Sequence, residues 1–128
     1  MRHFEVSATA SVSGTKKPFK HKYTVTAENF VAAYNAASKY TQGRYAEHAS
    51  VTIEAMNPKP YVSVITDSET YGIFYKIKAV LVNAEGDEYR ELHLVQALDD
   101  IDAKVRLKES IGEFDVAGIE LTDIEASF

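Results

Sequence analysis

The chain contains no cysteine and no tryptophan. Without cysteine there is no disulfide, no thiol nucleophile and no cysteine-ligated zinc, which is compatible with a reducing cytoplasm. Proline is scarce, at three residues, and the six glycines are scattered among turns. No G-x-x-x-x-G-K-[ST] or G-x-G-x-x-G run is present to cradle a phosphate. The G-x-S-x-G nucleophile elbow is missing too. His3, His21, His48 and His93 never recur at a short metal-ligand spacing. No apolar stretch reaches the roughly 18 residues of a membrane helix. The opening "MRHFEVSATA" alternates, whereas a signal peptide runs continuously apolar. These absences predict a protein that is not an enzyme, with no cofactor, no metal and no membrane partner.

What is present fits one globular domain. The 128 residues are 45% hydrophobic and 26% charged, near the average for folded proteins. A chain of this size buries roughly two-thirds of its unfolded surface, so it needs no covalent staple. The charge is unevenly spread. Residues 1–64 hold eight Lys/Arg against four Asp/Glu, whereas residues 65–128 hold six against fifteen. Such asymmetry suits either a polyanion-facing side or a self-complementary assembly.

The chain is written twice. "HFEVSATASVSG…HKYTVTAENFVAAYNAASKY…ASVTIEAM" is echoed by "FYKIKAVLVNAEG…LHLVQALDDIDAKVRLKESIG…AGIELTDIE". A slide of about 70 residues pairs Val25 with Val95, Ala27 with Ala97, Val31 with Ile101 and Ala33 with Ala103. Each copy reads strand, strand, helix, strand. Phe4, Val6, Ala8, Ala10 and Val12 alternate with polar residues, as do Phe19, His21, Tyr23 and Val25, which is the period of a strand with one buried face. Phe30, Ala33, Tyr34, Ala37 and Tyr40 then recur at helical spacing, with Thr26 or Asn29 as the cap and Gly43 beyond the end. In the second copy Asp99 and Asp100 open a helix carrying Ile101, Val105 and Ile111, and Gly112 ends it. The predicted fold is α+β: two tandem β-β-α-β units, mainly antiparallel, with helices packed on the sheets. The repeats span 1–56 and 73–126, and 57–72 join them, with prolines stopping the preceding strand and "YVSVI" a short edge strand.

"FYKIKAVLV", "LVQA" before an acidic helix start, the late "DVAGIELTDIE" and the first-half "TVTAENF" resemble the domain of unknown function 4494 family, uncharacterised proteins of Bacteroidota and their phages. The resemblance covers nearly the whole chain. It implies a fold and a phage or mobile-element context, and no catalytic residues.

Two surfaces stand out as candidate sites. In "KKPFKHKYTV", Lys16 and Lys17 lie on a turn, while Lys20 and Lys22 share a strand face with His3, Ser7, Thr9 and Ser11 across the hairpin. A cationic, hydroxyl-rich face suits phosphate contacts, and single-strand binding adds aromatic platforms. Lys16, Lys17, Lys20, Lys22, Tyr23 and Arg44 are therefore the candidates for single-stranded nucleic acid, with Tyr40, Tyr45 and Tyr61 nearby. The second surface is the hairpin from Phe74 to Ala97. Phe74, Val80, Leu92 and Leu94 make it apolar on both faces, so both should be covered, by the other repeat or by a second copy in a homodimer. The rival functional reading is accordingly a protein-interaction module, an inhibitor or adaptor; a sponge for a small nucleotide is a third. Asp99, Asp100 and Asp102 read as helix caps, since the macrodipole favours acids there. His21 and His93 fall on inward faces and read as core or rim histidines held by backbone partners.

Overall fold

The structure, a computed structural model, describes residues 1–11, 19–44, 50–67 and 73–128, with the backbone alone at Ser11, Phe19, Arg44, Ser50 and Val51. The elements in chain order are β1 (Arg2–Ser11), β2 (Phe19–Ala27), α1 (Phe30–Arg44), β3 (Ser50–Lys59) and β4 (Tyr61–Ile65), then β5 (Ile73–Val82), β6 (Glu88–Ala97), α2 (Asp100–Ile111), β7 (Asp115–Leu121) and β8 (Ala126–Ser127). The fold is α+β, with two mixed, mostly antiparallel sheets. The chain divides into two compact units, Met1–Lys59 with Ile124–Phe128, and Pro60–Asp123.

In the first unit the sheet order is β3-β1-β2-β8. β1 and β2 pair antiparallel with Val6 opposite Tyr23 and Phe4 opposite Val25. The period of two therefore sends Phe4, Val6 and Ala8 to the same face as Tyr23, Val25 and Ala27, where Ala33 and Ala37 of α1 cover them. Asn29 caps α1 by accepting the Ala32 N–H at 2.8 Å, one of the two caps the sequence allowed. α1 runs through Gly43 to Arg44. β3 continues through Pro58, opposite Phe4. Pro58 does not stop it because β3 is an edge strand, where a missing N–H costs no ladder bond; the strand ends at Lys59, directly before Pro60.

The second unit repeats the plan in the order β4-β6-β5-β7. Its core joins Tyr75, Ile77, Ala79, Val95 and Ala97 of the sheet to Ala103 and Leu107 of α2. Asn83 builds the β5–β6 turn by accepting the N–H groups of Glu85 and Asp87. Gly86 supplies a φ of 87° there, a conformation costly for any residue with a Cβ.

The helices correct one expectation. Ala33, Ala37, Ala103 and Leu107 are fully buried, whereas Phe30, Val31, Tyr34, Ile101 and Val105 are exposed. The strips at Phe30/Tyr34 and at Ile101/Val105 face outward. Alanine permits close approach of a helix to a pleated sheet. Leu107 joins it in the core, Tyr40 and Ile111 of the predicted strips pack against the cores, and the remaining large apolar residues keep exposed surface.

A second correction concerns the connector. Residues 57–59 belong to β3, and 61–65 form β4, which pairs parallel with β6. In the same way the last predicted strand breaks after Leu121, and β8 pairs parallel with β2. The first sheet thus takes its fourth strand, β8, from beyond the second unit in sequence, whereas β4 opens the second unit's own continuous segment.

Candidate interaction site

On β1 and β2 the predicted cationic face is only partly open. Lys20 is exposed. Lys22 is half-buried, and its Nζ lies 3.5 Å from Glu5 Oε1. Thr24, next on that face, is fully buried and donates to Ser127 Oγ at 2.6 Å. His3 Nδ1 bonds Thr26 Oγ1 at 2.8 Å. The face is thus occupied by mutual partners at its centre and open to solvent at Lys20. Lys16, Lys17, Tyr45, His48 and the Arg44 side chain lie outside the described residues.

Tyr23 is not an aromatic platform. It is fully buried, with its hydroxyl on Thr41 Oγ1 at 2.5 Å and on the Ala37 carbonyl at 3.2 Å. Burial pushes this hydroxyl above its ordinary pKa, although the Thr41 bond works the other way. The cause is strand alternation, which puts residue 23 on the α1 side. Tyr61 is also buried. Tyr40 is half-buried, against Tyr23 and Phe128.

The doubly apolar hairpin is covered within the single chain. Phe74 and Leu94, on the side of the sheet away from α2, keep 1% and 0% of their surface, and Val80 and Leu92 are half-buried. Phe74 and Leu94 are therefore unavailable to a second copy.

The acidic residues at the start of α2 are structural. Asp99 caps the helix, accepting the Asp102 N–H at 2.7 Å. Asp102 Oδ2 accepts the Leu98 N–H at 3.0 Å and Arg106 Nε at 2.9 Å, and Arg106 Nη1 also bonds Asp67. The Leu98 N–H and the Arg106 guanidinium hold the Asp102 carboxyl below its usual range. Among the described residues no group of three acidic or imidazole side chains is placed to hold a metal.

The two inward histidines have side-chain partners. His93 is fully buried, with Nδ1 at 2.6 Å from Ser63 Oγ and Nε2 at 3.2 Å from Glu91 Oε1. A Glu91 carboxylate accepts from Nε2–H, and in the neutral ring Nδ1 accepts the Ser63 hydroxyl. The trio ties β4 to β6. His21 donates from Nδ1 to Glu125 at 2.8 Å. The edge strand "YVSVI" is where the sequence places it, but its parallel pairing with β6 and that of β8 with β2, which bring Ser63 and Glu125 to these rings, leave no local signal.

The outer helix faces are what sequence reasoning missed. On α2, Ile101 and Val105 are 68% and 50% exposed, and Leu98, just before the cap, is 68% exposed. Leu98, Ile101 and Val105 follow i, i+3, i+7 spacing. On α1 the same side carries Phe30, Val31 and Tyr34. The available signal is the pair of small residues repeated at 33 and 103 in equivalent positions. Comparison with protein-family models, with curated proteins and with solved structures finds no match. The evidence for function is therefore the chain's own surface.

Two further features bear on the alternatives. A cavity of about 270 Å³ opens beside α1, lined by Tyr34, Ser38, Thr41, Gln42, Thr52 and Ile53. These described lining residues offer hydroxyl and amide groups and no charged side chain. Among the described residues no helix is long and apolar enough to cross a membrane.

Proposed function

We propose that the protein is a non-enzymatic interaction module that binds another protein through the outer face of α2. The observation that carries this is the reversed helix: Ala103 and Leu107 fill the core while Leu98, Ile101 and Val105 stand in solvent. Single exposed apolar residues are ordinary, but a contiguous set marks a partner surface. Ile101 and Val105, at i and i+4, share one face of α2, with Leu98 just ahead of the cap. Helix-in-groove recognition reads such a face, with this chain supplying the helix and the partner an apolar groove. Asp99 and Arg106 fix the helix ends and side, so the stripe is presented by a pre-ordered element, which lowers the entropy cost of binding. The phage or mobile-element context implied by the family resemblance belongs to the same proposal.

The test places a photocrosslinking amino acid at Ile101 or Val105, in cells that carry the gene. A discrete adduct with one protein is expected, abolished when Leu98→Asp is added. A control at exposed Ala117 of β7 should give none. No adduct at either helix position, or the same adduct from Ala117, overturns the reading.

A second reading, single-stranded nucleic acid binding, draws support from Lys20, which stands exposed at the open end of the β1–β2 face. The Lys22–Glu5 pair and the buried Tyr23 narrow that surface.

A further inference from the structure

We propose that the edge of β2, from His21 to Thr26, is a peptide-docking groove for an extended segment of the form Glu-x-Ser-aromatic on a partner protein, and that residues 124–128 hold it closed in cis. This groove shares no residue with the α2 face, so the two proposals stand or fall separately.

The chain's own tail displays the chemistry the groove selects. The Glu125 N–H donates to the Lys22 carbonyl at 2.7 Å, the Phe128 N–H to the Thr24 carbonyl at 3.1 Å, and the Thr26 N–H to the Phe128 carbonyl at 2.8 Å. These main-chain bonds add a parallel strand to the sheet edge, which is the geometry of β-augmentation. Three side chains then read the sequence. Glu125 meets His21 Nδ1 at 2.8 Å. Ser127 Oγ accepts from Thr24 Oγ1 at 2.6 Å. The Phe128 ring stacks on Tyr40 at 4.2 Å and on Tyr23 at 5.5 Å between centroids. A carboxylate, a hydroxyl and a ring at positions one, three and four define the ligand.

The tail is seated lightly enough to be exchanged. Its ladder with β2 has two residues, Ala126 and Ser127. Phe128 keeps 41% of its surface and the Glu125 side chain 38%. Ile124, 3% exposed, is the anchor a competitor must replace. The equivalent edge in the second unit is filled far more firmly. There β4 pairs over Tyr61 to Ile65 and is fastened by Ser63 to His93 and by Asp67 to Arg106. The hinge is also defined. Thr122 is pinned to the Phe74 carbonyl through both its N–H and its hydroxyl, so residues 123–128 can leave without disturbing β7.

The experiment titrates a fluorescein-labelled peptide, Thr-Asp-Ile-Glu-Ala-Ser-Phe, with the full chain and reads anisotropy. An occupied groove lowers apparent affinity by the fraction of open molecules. Phe128→Ala weakens the cis tail and should tighten peptide binding about tenfold over the unaltered chain. Adding Tyr40→Ala should remove that gain. Glu125→Lys breaks an exposed ion pair without touching the core, and should also tighten binding. Should Phe128→Ala fail to fold, Glu125→Lys decides alone. The proposal is overturned if folded Phe128→Ala or Glu125→Lys chains bind the peptide no better than the unaltered chain, or no better than a scrambled peptide.

Discussion

Arg106 joins the first turn of α2 to the segment after β4: its Nε donates to Asp102 at 2.9 Å while Nη1 bonds Asp67. The Asp102 carboxyl accordingly titrates below its ordinary range. A depressed carboxyl pKa means the unfolded chain binds more protons. Stability from this group is full above the unfolded pKa and is lost as pH falls through the folded value. Carbon-detected NMR titration should show the low midpoint, and Arg106→Gln should move it up. A midpoint unchanged by Arg106→Gln would show that the guanidinium does nothing to this carboxyl.

The reversed helices make a stability prediction of unusual sign. Ile101→Ser removes a large apolar group from solvent, so it should change unfolding free energy by no more than about 0.5 kcal/mol. Ala103→Leu adds atoms where the helix touches the sheet, so it should cost about 1–3 kcal/mol. Urea unfolding measures both. The opposite order, with Ile101→Ser the costly change, would mean that α2 turns its large strip inward.

If nucleic acid meets the β1–β2 face, binding to a fluorescent oligonucleotide should show little sequence preference and weaken with salt, since released counterions gain less entropy in concentrated salt. Lys20→Ala should lower the salt slope by about 0.7 for each phosphate it ceases to neutralise, the single-strand value. Lys22→Ala should have the smaller effect, because Lys22 already neighbours Glu5 at 3.5 Å. Absence of binding at low salt would eliminate this reading and leave the protein-binding one.

Much of the architecture can be read from the residues, and the reason is periodicity. β2 alternates and β6 is an apolar run between clear turn signals, so both are legible as strands, and they span Phe19–Ala27 and Glu88–Ala97. Asp99 and Gly112 bracket α2 as capping chemistry requires. β8 cannot be read, because two residues carry no period. On the helices, size is a misleading guide to burial. Ala37 and Ala103 owe their burial to being small, and Tyr34 and Ile101 their exposure to being large. For the candidate sites, alternation alone already puts Tyr23 toward the core. The partners Glu125 of His21 and Ser63 of His93 depend on strands paired across long sequence separations, which no local pattern records.

The late position of β8 in the chain gives this protein an order of assembly during synthesis. Chains fold from the amino end as they emerge, so β1, β2, α1 and β3 are available while the remainder is still being made. β4 is translated before β5 and β6 and can pair as soon as β6 appears, and β7 completes the sheet of the second unit once α2 has followed. The first unit has no such convenience. The β2 edge from His21 to Thr26 stays unpaired until Ile124–Phe128 leave the ribosome, after the whole of Pro60–Asp123. For that interval the nascent chain carries an open strand edge of the kind that recruits foreign strands. A ribosome stalled just before Ile124 would display that edge most fully, with every other strand of the first unit already in place.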